Sequence, residues 1–245
     1  MNSSLREKLK PWIAAAGLPG DGGISVYMDP VWLTGDNARF MKMYNWMSYG
    51  YDFVENTIGR LQYGRSIAES RQAMMNRLEW KDHASVLYVS IGTGTDLLYI
   101  PETIDTSTLS LMGADISMGM LKKCKKRFSN KFNLSLVNCC AEDLPFADES
   151  FDIVFHIGGI NFFSDKARAI HEMIRVARRG TKILIADETA DYIDKQYKKS
   201  WFSRKHFRDK TFNLEALEKL IPSTVAETKT ELLWENRFYC ISFRK

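Results

Sequence analysis

The 245-residue chain lacks any apolar run near the roughly 18 residues that a membrane span needs. Its N-terminus, MNSSLREKLKPWIAAAGLPG, has no long apolar core of a secretory signal. These two absences predict a cytosolic protein with no membrane span. The chain has four cysteines, Cys124, Cys139, Cys140 and Cys240, and none of them stands in C-x-x-C spacing. No metal site is expected from such spacing. The adjacent pair Cys139-Cys140 reads as buried strand thiols or as a strained vicinal disulfide, and a reducing compartment favours the thiols. There is no G-x-x-x-x-G-K-[ST], so a P-loop nucleotide site is excluded. The net charge of +4 is too small to argue for nucleic acid, which calls for a clustered basic face. Internal repeats and low-complexity tracts are also missing.

What is present is an alternation of strands and helices. Residues 85–91 (SVLYVSI), 109–116 (LSLMGADI), 134–140 (LSLVNCC), 151–157 (FDIVFHI) and 181–188 (TKILIADE) read as buried strands. Helical patterns fall between them, beginning at Thr95, spanning Met118 to Phe128, and running from Lys166 to Ala177 up to Gly180. A helix over 213–221 follows, and then TKTELLWE and RFYCISFRK, which read as an antiparallel hairpin. Ahead of Ser85 the chain is helical in pattern, with a short amphipathic helix at the N-terminus, a loop over 17–23 and helices near 36–48, 51–61 and 64–79. The predicted division is a helical extension or cap over 1–80 and a sheet domain over 81–245.

Alternating strands and helices predict a parallel sheet covered on both faces. In such sheets ligands bind beyond the carboxyl ends of the strands. Gly92–Gly94, Asp115, Cys140, His156 and Asp187 all fall at those ends. Gly92 and Gly94 permit a sharp turn and a close ligand. A dinucleotide loop would place a third glycine where Leu97 stands, which disfavours NAD. Asp115 follows the glycines by about twenty residues, the distance at which a carboxylate meets ribose hydroxyls. The pair points to an adenosine-type ligand.

VLYVSIGTG, MGADISMGML, AEDLPFADESFDIVF and IRVARRGTKILIADE resemble, in order and spacing, the motifs of class I S-adenosylmethionine-dependent methyltransferases. AEDLPFADESFDIVF is the most specific piece. It resembles the ubiquinone/menaquinone-biosynthesis (UbiE-like) small-molecule branch, and FMKMYNWMSYGY loosely resembles that branch's N-terminal helix. The resemblance implies an α/β fold: a Rossmann-like, doubly wound, mostly parallel seven-stranded sheet with an antiparallel C-terminal hairpin and an N-terminal helical cap. It implies S-adenosyl-L-methionine as cofactor and S-adenosyl-L-homocysteine as product. By the same resemblance, Ser90, Gly92, Thr93 and Gly94 form the loop around the methionine and ribose portion. Asp115 binds the ribose, Ile116 packs on adenine, the Ala141 N–H faces the ring edge, and Cys140 and His156 complete the site.

Three positions depart from the family pattern. Tyr88 stands where an acidic residue is usual, Ser90 where glycine is usual, and Cys140 where an aspartate often accepts the adenine amine. Asp96 or Glu142 is a candidate to replace the carboxylate lost at Tyr88. His156 is the candidate general base for an acceptor that must lose a proton, or else a packed strand-end histidine. Tyr44, Met47, Tyr51 and Asn161 are candidate substrate-lining residues. The Met- and aromatic-rich stretch around them suits an adaptable apolar lid, or plain packing on the sheet. Asn161 alternatively caps the turn before the next helix. The basic aromatic stretch 191–210 covers the substrate or is a solvated helix face.

The expected activity is methyl transfer to a small, apolar or aromatic acceptor. Two alternatives stand beside it: a catalytically impaired cofactor-binding protein, and an RNA methyltransferase. The D/N-P-P-[YF] motif of several nucleic-acid enzymes is absent, and HIGGIN occupies its place.

Overall fold

A computed structural model describes residues 3–48, 60–196 and 213–245. Among the described residues nine strands form one sheet: β1 (Gly20–Asp21), β2 (Ile24–Val26), β3 (Ser85–Val89), β4 (Ser110–Asp115), β5 (Leu134–Asn138), β6 (Ile153–Ile157), β7 (Lys182–Glu188), β8 (Ala226–Leu233) and β9 (Phe238–Arg244). Their order is β1-β2-β5-β4-β3-β6-β7-β9-β8. Strands β2 to β7 run parallel, and β1, β8 and β9 pair antiparallel. The direction of winding reverses at β3, whose neighbours β4 and β6 follow it on opposite sides. A crevice opens beyond the carboxyl ends at such a point.

Alternation along each strand sends side chains to two apolar layers. On β3, Leu87 and Val89 enter one layer, with Leu5, Leu9 and the helix Lys166–Val176. Val86 and Tyr88 enter the other, with Met74, Met75 and the helix Met118–Phe128. The caps follow the sequence. Ser117 accepts from the Met120 amide and Asp165 from the Arg168 amide, each satisfying a donor that the first helical turn leaves open.

The seven expected strands are all present. The expectation of seven is corrected to nine, because β1 and β2 extend the sheet beyond β5. Ser25 pairs with Val137 and Val26 with Asn138. A three-residue strand beside Gly22-Gly23 carries too little periodicity to stand out from a loop. Three further differences are local. Pro11 splits the N-terminal helix into Ser3–Lys8 and Pro11–Ala16, since proline's fixed ring cannot continue the first helix. The helix expected after Gly94 is a single 3-10 turn, Thr95–Tyr99, that ends in extended backbone at Ile100 before Pro101. It therefore brings no long-helix dipole to the glycine loop. The expected 36–48 helix spans Gly35–Met47, and the helix Arg60–Met75 lies within the last expected pair. The expected helix over 51–61 falls almost wholly outside the described residues.

Candidate functional site

A narrow cleft of about 20 Å³ lies at the carboxyl ends of β3, β4 and β5. Ser90, Asp115, Ile116 and Ala141 form one part of its wall, and Asn37, Glu142 and Phe163 another. Asp115 ends β4 and is 9 % exposed. Its Oδ2 accepts from the Gly92 amide at 2.8 Å and its Oδ1 from the Ser117 amide at 2.8 Å. A carboxylate has about four acceptor sites, so each oxygen keeps one for a ligand. Burial pushes the Asp115 pKa up to about 6, and the two amides oppose that shift.

The loop before it is built on left-handed backbone. Ser90 has φ 58°, and Gly92 and Gly94 have 55° and 76°. The serine thus occupies a conformation that glycine adopts without strain. Gly94 is required by packing: a Cβ there would lie 2.7 Å from Cys124 Sγ and 3.0 Å from the Phe128 ring. Gly92, Thr93 and Gly94 stand behind the cleft wall, where the Gly92 amide orients Asp115.

Ala141 follows β5 and is 8 % exposed. Its amide has no acceptor among the described residues. Cys140 lies behind the wall, its Sγ 3.5 Å from Met28 Sδ. Burial raises its thiol to about 12, so it stays neutral. All four cysteines are buried free thiols.

Tyr88 answers the question of the missing acid. Its ring stacks on Phe155 with centroids 4.3 Å apart, and its hydroxyl donates to Asp96 Oδ2 at 2.5 Å. Asp96 Oδ1 pairs with Arg71 at 2.6 Å. Asp96 thus holds a buried network and does not line the cleft.

His156 is corrected as a base. It is fully buried, its Nδ1 donates to the Val89 carbonyl at 3.1 Å, and its Nε2 accepts from the Ile160 amide at 2.9 Å. Burial lowers its pKa to about 4. With both nitrogens engaged, the imidazole has no site for a substrate proton. It braces the loop after β6 against β3.

Asn161 is also engaged. Its Nδ2 donates to the Glu188 carbonyl at 3.0 Å, and its Oδ1 accepts from the Tyr239 hydroxyl at 3.3 Å. It clamps the β6 loop to β7 and β9, while Asp165 caps the following helix, so Asn161 is not that helix's cap. Tyr44 packs with the cluster of Phe40, Phe162 and Ile193. Met47 is half-buried on the same helix. Neither residue forms part of the cleft wall. Tyr51 and most of the 191–210 stretch lie outside the described residues.

Asn37 and Phe163 are among the wall residues that went unnoticed in the sequence. Asn37 is buried on an otherwise amphipathic helix, where it donates to Glu142 Oε1 at 3.0 Å and accepts from the Ser164 amide at 3.0 Å. A polar residue on a helix's buried face was the available signal. Phe163 meets His156 edge-on, with ring centroids 5.3 Å apart.

Residues 87–185 match the family described as a methyltransferase domain. From β3 to β7 the chain is therefore similar to a methyltransferase domain. It is 26 % identical over 159 residues to a ubiquinone/menaquinone biosynthesis C-methyltransferase, UbiE, of Geotalea daltonii, covering 63 % of this chain and 65 % of that protein. It is 36 % identical over 102 residues to a phthiotriol/phenolphthiotriol dimycocerosates methyltransferase of Mycobacterium tuberculosis, covering 42 % and 37 %. The chain thus spans less than two thirds of the length of these curated relatives. The methyltransferase fold recurs in phosphoethanolamine N-methyltransferase 2 of Haemonchus contortus, solved with S-adenosyl-L-methionine. That structure aligns with TM-score 0.63 at 15 % identity, covering 86 % of this chain and 60 % of that one. Among the described residues no helix is long and apolar enough to cross a membrane.

Proposed function

We propose that the protein transfers a methyl group from S-adenosylmethionine to a small, apolar or aromatic acceptor of quinone type. The observation that carries this reading is Asp115, a buried strand-end carboxylate with a free acceptor site on each oxygen, set in the wall of a cleft. Asp115 takes the two ribose hydroxyls, Ile116 packs against the adenine, and the Ala141 amide donates to the ring edge. The bound cofactor supplies a methyl group on a positively charged sulfur, open to in-line attack. The protein's part is to hold the acceptor on the far side, about 3–3.5 Å from that carbon, and to exclude water. His156 contributes by position, fixing the loop that carries Phe163. The helix Gly35–Met47 acts as the cap, with Asn37 reaching into the cleft. The quinone-type acceptor is supported by the names of the relatives and by the aromatic and methionine side chains of that cap.

A second reading, a cofactor binder without turnover, is favoured by one observation. Asp96 binds the Tyr88 hydroxyl and Arg71 away from the cleft wall, so it does not replace the acidic group lost at Tyr88. Calorimetric titration with S-adenosylmethionine, S-adenosylhomocysteine and NAD tests the site. Micromolar binding of the two adenosyl compounds alone is expected, and a preference for NAD overturns both readings. Formation of S-adenosylhomocysteine with reduced benzoquinones or naphthoquinones then separates transfer from binding alone.

A further inference from the structure

Positive charge is not spread evenly along the chain. Residues 122–131, KKCKKRFSNK, hold six cations and no acid, more positive charge than the net +4 of the whole chain. They make up most of the helix Met118–Phe128 and the turn after it. Met120, Leu121, Cys124 and Phe128 are buried, so the cations fall on the other side of the helix. Lys122 and Lys126 are exposed one helical turn apart, and Lys131 beyond the helix end is exposed as well. Asp21, on β1, pairs with Lys122 at 2.7 Å, with each side chain more than half exposed. An ion pair that open to water neutralises little. Arg127 is turned back onto Thr95 Oγ1 at 3.0 Å. Lys126 makes no hydrogen bond or ion pair with the described residues.

One end of this face carries an exposed aromatic. Gly119 stands at the first turn of the basic helix, and its amide donates to Asn45 Oδ1 at 2.9 Å. A Cβ at Gly119 would lie 2.5 Å from Ser48 Oγ. The C-terminal end of the helix Gly35–Met47 is therefore docked on the N-terminal end of the basic helix. Trp46, between those two contact residues, is 59 % exposed. Lys42, one turn earlier on the same side, is exposed too. A tryptophan ring suits the headgroup level of a bilayer, and lysines are drawn to anionic headgroups. We propose that the outer face of the helix Met118–Phe128, with Trp46 at its end, docks the protein on an anionic lipid surface. Nucleic acid fits this face less well. Arginine grips phosphates and base edges bidentately, but the cations here are lysines apart from Arg127, which Thr95 engages. Single strands are held by several stacking aromatics, and Phe128, the aromatic within the basic run, is fully buried. Docking would bring the cleft beside Asp115 close to an apolar acceptor dissolved in lipid, a use that rests on the acceptor reading above.

The test is co-sedimentation of the full chain with vesicles of phosphatidylcholine, alone or mixed with phosphatidylglycerol. Binding to the mixed vesicles and not to the neutral ones is expected, and it should weaken as salt shortens the range of the charges. Absence of binding to the mixed vesicles, or equal binding to both kinds, overturns the proposal. Each lysine near an anionic surface strengthens binding by about fivefold. Lys126→Glu combined with Lys131→Glu removes two cations and adds two acids, so vesicle binding should fall by about a hundredfold or more. Both positions are exposed and outside the cleft wall, so the unfolding midpoint should stay at the wild-type value, which shows that the variant is folded. Wild-type vesicle binding by this folded variant overturns the proposal. Trp46→Ser should weaken binding by about tenfold at every salt concentration, since the ring's part is apolar burial. An unchanged value removes Trp46 from the surface. Salt-sensitive retention of single-stranded RNA that the mixed vesicles do not share assigns the face to nucleic acid and overturns the lipid proposal. The vesicle assay needs neither cofactor nor turnover. Failure of methyl transfer therefore leaves its result standing, and failure of the vesicle assay leaves the cofactor reading standing.

Discussion

Asp115 and Asp187 stand at the carboxyl ends of two parallel strands, separated in the sheet by β3 and β6. Burial raises each to about 6. Their surroundings differ. Asp187 is 2 % exposed and accepts three backbone amides, from Gly159, Asn161 and Glu188. Asp115 accepts two and borders the cleft. One carboxylate ties the β6 loop to β7, and the other keeps acceptor sites for a ligand. A strand-end aspartate in this fold is therefore not by itself a binding residue. The number of its partners and its access to the cleft decide the role.

The largest expected effect falls on the sealed member. Asp187→Ala orphans three amides, each worth about 1–3 kcal/mol when buried and unpaired. Loss of a buried charge offsets part of that, for a net loss of about 2–4 kcal/mol. Denaturant unfolding measures it, and a change below about 1 kcal/mol would remove the structural role. Cofactor affinity should stay near the wild-type value, because Asp187 does not touch the cleft.

Asp115→Ala should reverse the pattern. Affinity for S-adenosylhomocysteine should fall by about ten- to a hundredfold, the worth of a hydrogen bond to a charged group. Ligand-free stability should fall less than in the Asp187 variant, since two amides rather than three lose their acceptor. Unchanged affinity by calorimetry would take Asp115 out of the site.

The raised pKa of Asp115 gives the next effect. Only its ionised form accepts from both ribose hydroxyls, so ligand binding favours ionisation. Affinity should be full above about pH 7, be halved near pH 6 and decline below it by up to about tenfold per pH unit. Asp115→Asn should abolish that slope. A slope that survives in the variant assigns it to another group.

The strands were legible because alternating or continuous apolar runs specify them, and the grammar from Ser85 to Glu188 is dense. The short strand β2 was not, since three residues beside a glycine pair carry no period. Asp115 was legible from its distance to the glycines. His156 was misread because a strand-end histidine looks the same in sequence whether its nitrogens are free or bound. The bonds that close it come from Val89, 67 positions away, and from a loop amide. Glu142 was visible only as a spare carboxylate. Its orientation depends on Asn37, 105 positions earlier. Local chemistry is written in the sequence, whereas the satisfaction of a polar group is a property of the assembled fold.

The smallest effect sharpens the comparison on the Asp115 side. Ser90 lies in the cleft wall with φ 58°, a region that costs a non-glycine residue about 1–2 kcal/mol. Its side chain makes no hydrogen bond among the described residues, so nothing visible compensates for that strain. Ser90→Gly should relieve it, while the greater freedom of glycine in the unfolded chain returns about 0.4–1 kcal/mol. The net gain should be about 0.5–1 kcal/mol in ligand-free stability, read from the unfolding midpoint. Ser90→Ala keeps the Cβ and the strain, and should leave stability unchanged. If the glycine variant is instead less stable, the hydroxyl makes a contact the fold requires. If it is more stable but binds S-adenosylhomocysteine more weakly, the serine is a ligand contact held at the expense of backbone strain, and the Asp115 half of the sheet, unlike the Asp187 half, keeps a second polar group open for the ligand.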